Sequence, residues 1–272
     1  MAVVSDVGTT ARSRARVEIT VYAVLVVGAL AVSTVVSDTA AGKIRGAVAL
    51  SAVISAVVAA RRSPHVAINP WMCIAAAIGF WSSGYLVGDI VRSSGASPTH
   101  WTDALALSGY LSVGIGLTVI ARLRTDLPSR TAFLDASVLA IAGAMLIWVV
   151  LVTPMAHPAD GSLDRFVAAA LPLGDGILLA CLGWLVLAPG RRSPALSMLG
   201  GAIALLLVSD LGRALGLRLG HDWQAASELS TWCAYGLMGA AAIVATRHMR
   251  ESRDAFVTPV EHNRRLILLG LA

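Results

Sequence analysis

The sequence predicts an all-α integral membrane protein with about eight transmembrane helices arranged as helical hairpins. Apolar residues make up 57% of the 272 residues and charged residues only 14%, which lies far outside the composition of soluble domains. The apolar residues form blocks of about 18 to 25 residues, the length that a helix needs to cross a bilayer. The blocks that start at Ala132 and Arg165 lack the polar face of a soluble amphipathic helix, so we place them in the membrane.

Eight membrane spans can be assigned from these blocks. In chain order they are Val17–Val36, Ile44–Ala60, Ala67–Val91, Ala104–Ala121, Ala132–Thr153, Arg165–Leu187, Pro194–Leu217 and Ser227–Thr246. The first is longer than the apolar core of a signal peptide, so we expect it to remain uncleaved. A ninth apolar run after Arg265 is far shorter than the about 20 residues of a span. It predicts either an interfacial tail or the start of a further helix.

The spans divide the chain into three segments. Residues 1–16 form a cytoplasmic N-terminal tail, and residues 17–246 form the polytopic membrane domain. Residues 247–272 form a basic cytoplasmic segment that includes the start of the possible ninth helix.

Basic residues predict the orientation of these segments. With a cytoplasmic N-terminus, fifteen of the 21 Lys and Arg residues lie in inner regions and six in outer regions, as the positive-inside rule requires. Acidic residues gather in the outer half instead. Because the basic residues sit in short loops between spans, we expect them to orient the protein rather than to bind nucleic acid.

Two acidic residues lie inside predicted spans and are the sharpest candidates for function. Asp175 follows a break at Pro172, about ten residues into its span, where an isolated carboxylate costs several kcal/mol. It either senses a ligand or proton or caps backbone freed by the proline. Asp210 has Arg213 three positions later on the same helical face, which favours an intrahelical ion pair.

Further candidate residues lie close to the outer ends of the spans and could line one pocket with these two. They are Asp89, Asp103, Glu228, Tyr110, Tyr235 and Trp232. Several of them follow a shared spacing of 4, 3 and 4 residues, which occurs as Asp103-Leu107-Tyr110-Gly114, as Glu228-Trp232-Tyr235-Gly239 and as Asp164-Ala168-Leu171-Asp175. A threefold repeat of helical hairpins and a chance match between apolar helices both explain this spacing.

The positions of the tryptophans and glycines lead to two further predictions. The tryptophans near the outer ends predict an aromatic belt at the headgroups, namely Trp81, Trp101, Trp148 and Trp223, although Trp101 and Trp232 could instead wall a ligand pocket. The glycines predict close helix packing, in the series Gly212, Gly216, Gly220 and in the pair Gly84, Gly88. Asp135 suits the positive end of a helix dipole.

Catalytic motifs are absent from the sequence. It contains no nucleophile elbow, phosphate loop, HExxH motif or zinc-ligand spacing. We therefore expect no enzymatic activity, no catalytic residue, no metal site and no cofactor in this chain.

Six strings follow one another in a defined order between Phe80 and Met249: FWSSGYLVGDIV, WTDALALSGYLSVGIGLTVIARLR, FLDASVLAIAGAMLIWVVLVTP, LPLGDGILLACLGWLVL, LLLVSDLGRALG and WCAYGLMGAAAIVATRHM. This ordered set resembles the N-terminal membrane region of actinobacterial cyclic-di-GMP signalling proteins, whose cytoplasmic parts carry GGDEF and often EAL domains. The acidic residues of this ordered set are Asp89, Asp103, Asp135, Asp175 and Asp210. Neither a GGDEF nor an EAL signature is present, so no cyclase or phosphodiesterase activity can be assigned to the chain.

The resemblance implies a sensory or anchoring module in a bacterial inner membrane, linked to cyclic-di-GMP output. Its expected partners are the lipid bilayer and a cytoplasmic output domain or partner protein, and a homodimer remains open. A small proton-coupled transporter and a purely structural anchor are the alternatives, since mid-membrane carboxyl groups occur in both.

The predicted orientation can be tested by cysteine labelling. In a chain whose native cysteines are replaced by serine, Asp103→Cys and Glu228→Cys should react with a membrane-impermeant maleimide added to the periplasmic side, because both lie in outer regions. Arg124→Cys, on the inner side, should react only after permeabilisation. The reverse pattern would contradict the orientation.

Overall fold

The computed structural model describes residues 4–63, 67–94, 100–124, 173–183 and 193–269, with single positions at 134, 138, 141, 142, 145 and 170. The continuous stretches form seven helices and contain no strand. In chain order the helices are α1 (Val4–Ser33), α2 (Asp38–Arg62), α3 (Pro70–Ser93), α4 (His100–Arg124), α5 (Leu173–Gly183), α6 (Pro194–Leu219) and α7 (Gln224–Leu269).

Five of these helices are long and apolar enough to cross a membrane. The apolar segments are Asp38–Arg62, Pro70–Val91, Trp101–Leu123, Pro194–Gly216 and Gln224–Arg247. The apolar parts of α1 and α5, Val17–Ser33 and Leu173–Gly183, are shorter. A helical membrane protein is therefore confirmed, whereas the number of eight spans is not. The predicted span Ala132–Thr153 and the first part of Arg165–Leu187 lie outside the continuous described stretches.

Helix α7 differs from the prediction for the C-terminal segment. It runs without interruption for 46 residues, from Gln224 to Leu269. The predicted eighth span, the basic segment after Thr246 and the ninth apolar run up to Leu269 therefore belong to one helix. No glycine or proline lies at the junction between the span and the basic segment. Pro259 lies within the basic segment, and the helix continues through that position.

Helix α7 is also the central helix of the described bundle. In its most apolar stretch 67% of the residues are buried, against 28–39% in the other four spans. It packs against α6 as an antiparallel hairpin and also contacts α1, α2 and α3. The second strong hairpin is α3 with α4, and α2 lies between α3 and α7. Both hairpins match units of the predicted repeat, and the opening residues of the third unit lie outside the described residues.

Two ion pairs show which helix ends lie on the same side. Arg45, near the start of α2, donates to Glu228, near the start of α7, at 2.8 Å. Glu18 of α1 pairs with Arg247 of α7 at the opposite end of the bundle. Helix α7 is therefore parallel to α2 and antiparallel to α1, as the alternating spans require.

Asn69 makes the turn between α2 and α3 compact. Its side-chain oxygen accepts the backbone N–H of Trp71 at 3.1 Å, which satisfies one free donor at the start of α3. Its side-chain nitrogen donates to the carbonyl of Ala60 at 2.9 Å and so ties α3 to the end of α2. Pro70 occupies the first helical position, where its missing N–H is harmless.

The predicted glycine series divides into two roles. A Cβ atom on Gly212 would lie 2.8 Å from the Ser227 hydroxyl, and one on Gly216 would lie 2.9 Å from the carbonyl of His221. These two glycines let α6 approach the start of α7, as predicted. Gly220 does not pack closely; it ends α6 in the left-handed conformation, with φ at 65°, which glycine adopts without strain. Its expected packing role was wrong.

Gly239 provides a test of the central packing. A Cβ atom there would lie 3.0 Å from the Ala52 backbone and closer still to the Tyr22 hydroxyl. We expect Gly239→Leu to lower the free energy of unfolding by about 1 to 3 kcal/mol, because the crowded helices must separate. Gly46→Leu is the matched control, since nothing lies within 4 Å of that Cβ position. Unfolding in mixed micelles measures both; equal stability of the two variants would contradict this packing.

Candidate functional site

A chain of polar side chains links three helices in the half of the bundle where α4 and α7 begin. The Tyr110 hydroxyl on α4 donates to Asp210 Oδ2 on α6 at 2.7 Å. Asp210 Oδ1 accepts a hydrogen bond from Arg213, which confirms the predicted contact within α6. The second guanidinium nitrogen of Arg213, Nη1, donates to the Tyr85 hydroxyl on α3 at 2.9 Å. Asp210 therefore accepts hydrogen bonds from two donors, of which Arg213 is cationic.

Asp175 on α5 approaches this chain from the other side. The preceding residue, Gly174, faces the Tyr110 ring so closely that a Cβ atom would lie 2.7 Å from it. The Asp175 carboxyl group lies near enough to Asp210 and Tyr110 to interact electrostatically with both. One of its oxygens, Oδ1, is buried and has no hydrogen-bond partner among the described residues. Two carboxyl groups thus share one small, largely enclosed space.

Aromatic rings enclose the polar chain. Trp81 contacts Tyr110 edge to face, with ring centroids 5.6 Å apart, and stacks with Tyr235 at 6.1 Å. Trp232 contacts both Tyr235 and Tyr85 at 5.3 Å. These contacts come from α3, α4 and α7, so the rings join both helical hairpins. Such edge-to-face and offset pairs add stability beyond the apolar area that they bury.

The close approach of Trp81 depends on a glycine. A Cβ atom on Gly109 would lie within 2.6 Å of the indole ring. The indole ring therefore lies directly against the backbone of α4, and its N–H donates to the carbonyl of Ala106 at 3.1 Å. This bond satisfies the single polar atom of the ring in an apolar environment.

The cluster lies well inside the membrane region. Tyr110 is ten residues after His100, the first residue of α4, which corresponds to about 15 Å along the helix. Asp210 is nine residues before Leu219, the last residue of α6, or about 14 Å. Charged groups at such depth normally face a partner or a polar cavity. Here Arg213 supplies the partner, and its longer side chain, 39% exposed, extends toward the surface.

Five of the eight predicted site residues are brought together here: Asp175, Asp210, Tyr110, Tyr235 and Trp232. Glu228 belongs to a different contact. It accepts hydrogen bonds from Arg45 at 2.8 Å and from Gln224 at 3.0 Å, so it links α2 to the start of α7.

The two remaining predicted acids lie near neighbouring ends of α3 and α4. Asp89 is exposed near the end of α3, and Asp103 is half-buried in the first turn of α4. Asp135, an acidic residue of the strings that carry the resemblance, lies outside the described residues, as does Trp148.

The tryptophan expectations are only partly met. Trp101 is 74% exposed and Trp223 is 42% exposed, as belt residues would be. Trp81 is buried in the aromatic cluster, so its assignment to the belt was wrong. Because Trp101 is so exposed, it does not wall a buried pocket together with Trp232.

Four contacts do not follow from the sequence patterns. They involve Tyr85, Trp81, Arg45 and the ion pair between Glu18 and Arg247. A signal existed for Tyr85, since a tyrosine within an apolar span needs a partner for its hydroxyl. Glu18 lies inside the predicted first span and needed a cation for the same reason.

The arrangement can hold protons or make hydrogen bonds, but the described residues do not form a metal centre. Among them no group of three or more His, Cys, Asp or Glu side chains is placed to hold a metal ion. The cluster offers two carboxyl groups, two phenols and one guanidinium, which can bind and release a proton or rearrange their hydrogen bonds.

Comparison with known proteins gives no relative from which a role could be transferred. No protein-family model, curated protein or solved structure matches the chain.

Tyr110→Phe tests the central hydrogen bond. Because the hydroxyl donates to a carboxylate in a buried site, its loss should lower the free energy of unfolding by about 1 to 2 kcal/mol. Tyr22→Phe is the matched control: the Tyr22 hydroxyl contacts the neutral Ser51 hydroxyl at 3.3 Å, and its loss should cost about 0.5 kcal/mol. The double variant Tyr110→Phe with Asp210→Asn should lose less free energy of unfolding than the sum of the two single losses. Full additivity in the unfolding measurements would rule out a coupled pair.

Proposed function

We propose that this chain is a membrane-embedded sensory module in which the polar cluster around Asp210 receives a stimulus and α7 transmits it to the cytoplasmic side. One observation carries the proposal. The helix that packs Trp232 and Tyr235 against the cluster is the same uninterrupted helix that continues past Arg247 to Leu269. A rigid helix carries displacement or rotation along its length, so a change at the cluster has a direct route out of the membrane.

The contacts of α7 support a two-state mechanism. Its aromatic residues touch Trp81 and Tyr85 on α3, while its start is held by Arg45 and its inner part by Glu18. Packed aromatic interfaces have few alternative arrangements, so small shifts at an effector site become discrete rearrangements. The stimulus must interact differently with the two arrangements in order to shift their populations.

We further propose that the output is cyclic-di-GMP synthesis or breakdown, by a domain or partner outside this chain. This part rests on the ordered strings between Phe80 and Met249 that resemble the membrane regions of GGDEF and EAL proteins. The proposed location is a bacterial inner membrane with the N-terminus in the cytoplasm, which the distribution of basic residues favours.

Transport is the second candidate, because a buried carboxyl group without a full set of partners also occurs in proton-coupled transporters. The two functions differ in one respect. A transporter moves substrate across the bilayer in a carboxyl-dependent way, and a sensor does not.

Substituting the two clustered acids tests the sensor. In cells that express the native full-length protein, Asp210→Asn and Asp175→Asn should each change cyclic-di-GMP output by about tenfold, the effect of removing about 1.4 kcal/mol of interaction from one of two states. Membrane insertion, followed by a fluorescent tag, should be unchanged.

Asp38→Asn is the control, because this exposed acid lies at the start of α2, outside the cluster. Unaltered output in both cluster variants would refute the sensor and favour a structural anchor. Carboxyl-dependent flux in proteoliposomes would establish the transporter instead.

A further inference from the structure

The space between Asp175 and Asp210 contains more acidic groups than its single cation can balance. Asp210 is already matched by Arg213. The phenols of Tyr110 and Tyr85 are neutral donors at ordinary pH. If both carboxyl groups were ionised, one negative charge would remain unbalanced in a largely buried site, which apolar surroundings strongly disfavour.

The hydrogen bonds decide which carboxyl group is ionised. Asp210 accepts from Tyr110 through Oδ2 and from Arg213 through Oδ1, so both of its oxygens act as acceptors. Asp175 differs, because its buried Oδ1 has no hydrogen-bond partner among the described residues, whereas the two end nitrogens of Arg213 already donate to Tyr85 and Asp210. A buried carboxyl group without a cationic donor is more stable in its protonated form, so we assign the proton to Asp175.

Groups from every described helix that faces this space support the same assignment. From α4 it is faced by Tyr110, and from α6 by Asp210 and Arg213. Tyr85 of α3 bonds to Arg213, and Tyr235 of α7 lies within electrostatic range of Asp210. Arg213 is the one basic group among these described neighbours, and Asp210 already engages it.

We propose that the stimulus is a proton, held by Asp175 against Asp210 and exchanged with the outer side of the membrane. This inference rests on the proposed sensory function and names its ligand. When the proton leaves for water, Asp175 becomes a carboxylate beside the carboxylate of Asp210. The two like charges then repel each other and drive α5 away from α4 and α6.

The described geometry favours a proton over a metal cation. A sodium or calcium ion needs a shell of several oxygen ligands, whereas the described part of the cluster offers only two carboxyl groups and the phenols, and Asp210 is already engaged by Arg213. Gly174 brings α5 against the Tyr110 ring without an intervening side chain, so Asp175 lies beside the hydrogen bond between Tyr110 and Asp210.

Displacement of α5 would reach α7 through the rings. Tyr110 contacts both Gly174 of α5 and Trp81 of α3, and Trp81 in turn stacks on Tyr235 of α7. Release of the proton thus disturbs a ring that is two contacts away from the transmitting helix.

Infrared difference spectroscopy of the whole chain in lipid nanodiscs tests the inference. On titration of the buffer pH, the wild type should lose a high-frequency carbonyl band, typical of a carboxylic acid shielded from water. Asp175→Asn should abolish this band, and Asp175→Glu should retain a titrating band at a changed frequency. Asp38→Asn should leave the buried band intact, because Asp38 is exposed at the start of α2.

The outcomes separate this inference from the proposed function. A band that persists in Asp175→Asn, or that responds to sodium at constant pH, would overturn the proton assignment while the sensory role could still stand. A band that is lost in Asp175→Asn, combined with cyclic-di-GMP output that does not respond to external pH, would support a protonated Asp175 but overturn the proton as the stimulus. The sensory role itself is decided by the output of Asp210→Asn and Asp175→Asn. If Asp175→Asn fails to insert, the frequency change in Asp175→Glu decides the assignment.

Discussion

The fold of the described bundle depends on the position of Asp210 between Tyr110 and Arg213. A carboxylate on α6 at about 14 Å from the helix end is tolerated because a phenol from α4 and a guanidinium from its own helix both donate to it. Through Arg213 the same contact extends to Tyr85 on α3. One charged group therefore fixes the mutual register of three helices, in a solvent where apolar surfaces alone give little orientation.

Small residues determine how close the helices come to that centre. Gly109 admits the Trp81 ring, and Gly174 admits the Tyr110 ring; a methyl group at either position would overlap the ring atoms. The rings in turn occupy the space around the polar chain and exclude lipid from it. The polar contacts and the glycines are thus mutually dependent, since the hydrogen bonds form only at the separation that the glycines allow.

The sequence predicts the fold more fully than it predicts the site. Apolar block length identifies the five spans, because the bilayer thickness sets that length directly. Spacing within one helix finds the contact between Asp210 and Arg213. Contacts between helices do not follow from such patterns: Arg45 and Glu228 are 183 residues apart, and nothing local relates them. Trp81 was misassigned for the same reason, since position near a span end does not reveal whether a ring faces lipid or a neighbouring helix.

The proposed signalling depends on the placement of α7, because the cluster is built mainly on other helices. Ion pairs hold this helix to α2 near its start and to α1 at Arg247, near its midpoint. Between them it carries Trp232 and Tyr235, whose contacts with α3 are the ones nearest to the polar chain. A helix held at Glu228 and at Arg247 resists sliding along its axis, because sliding would break both ion pairs at once. Rotation about the axis changes the ring contacts, whereas a long side chain such as Arg45 can keep its ion pair with Glu228. Rotation is therefore the motion by which the proposed signal would leave the membrane.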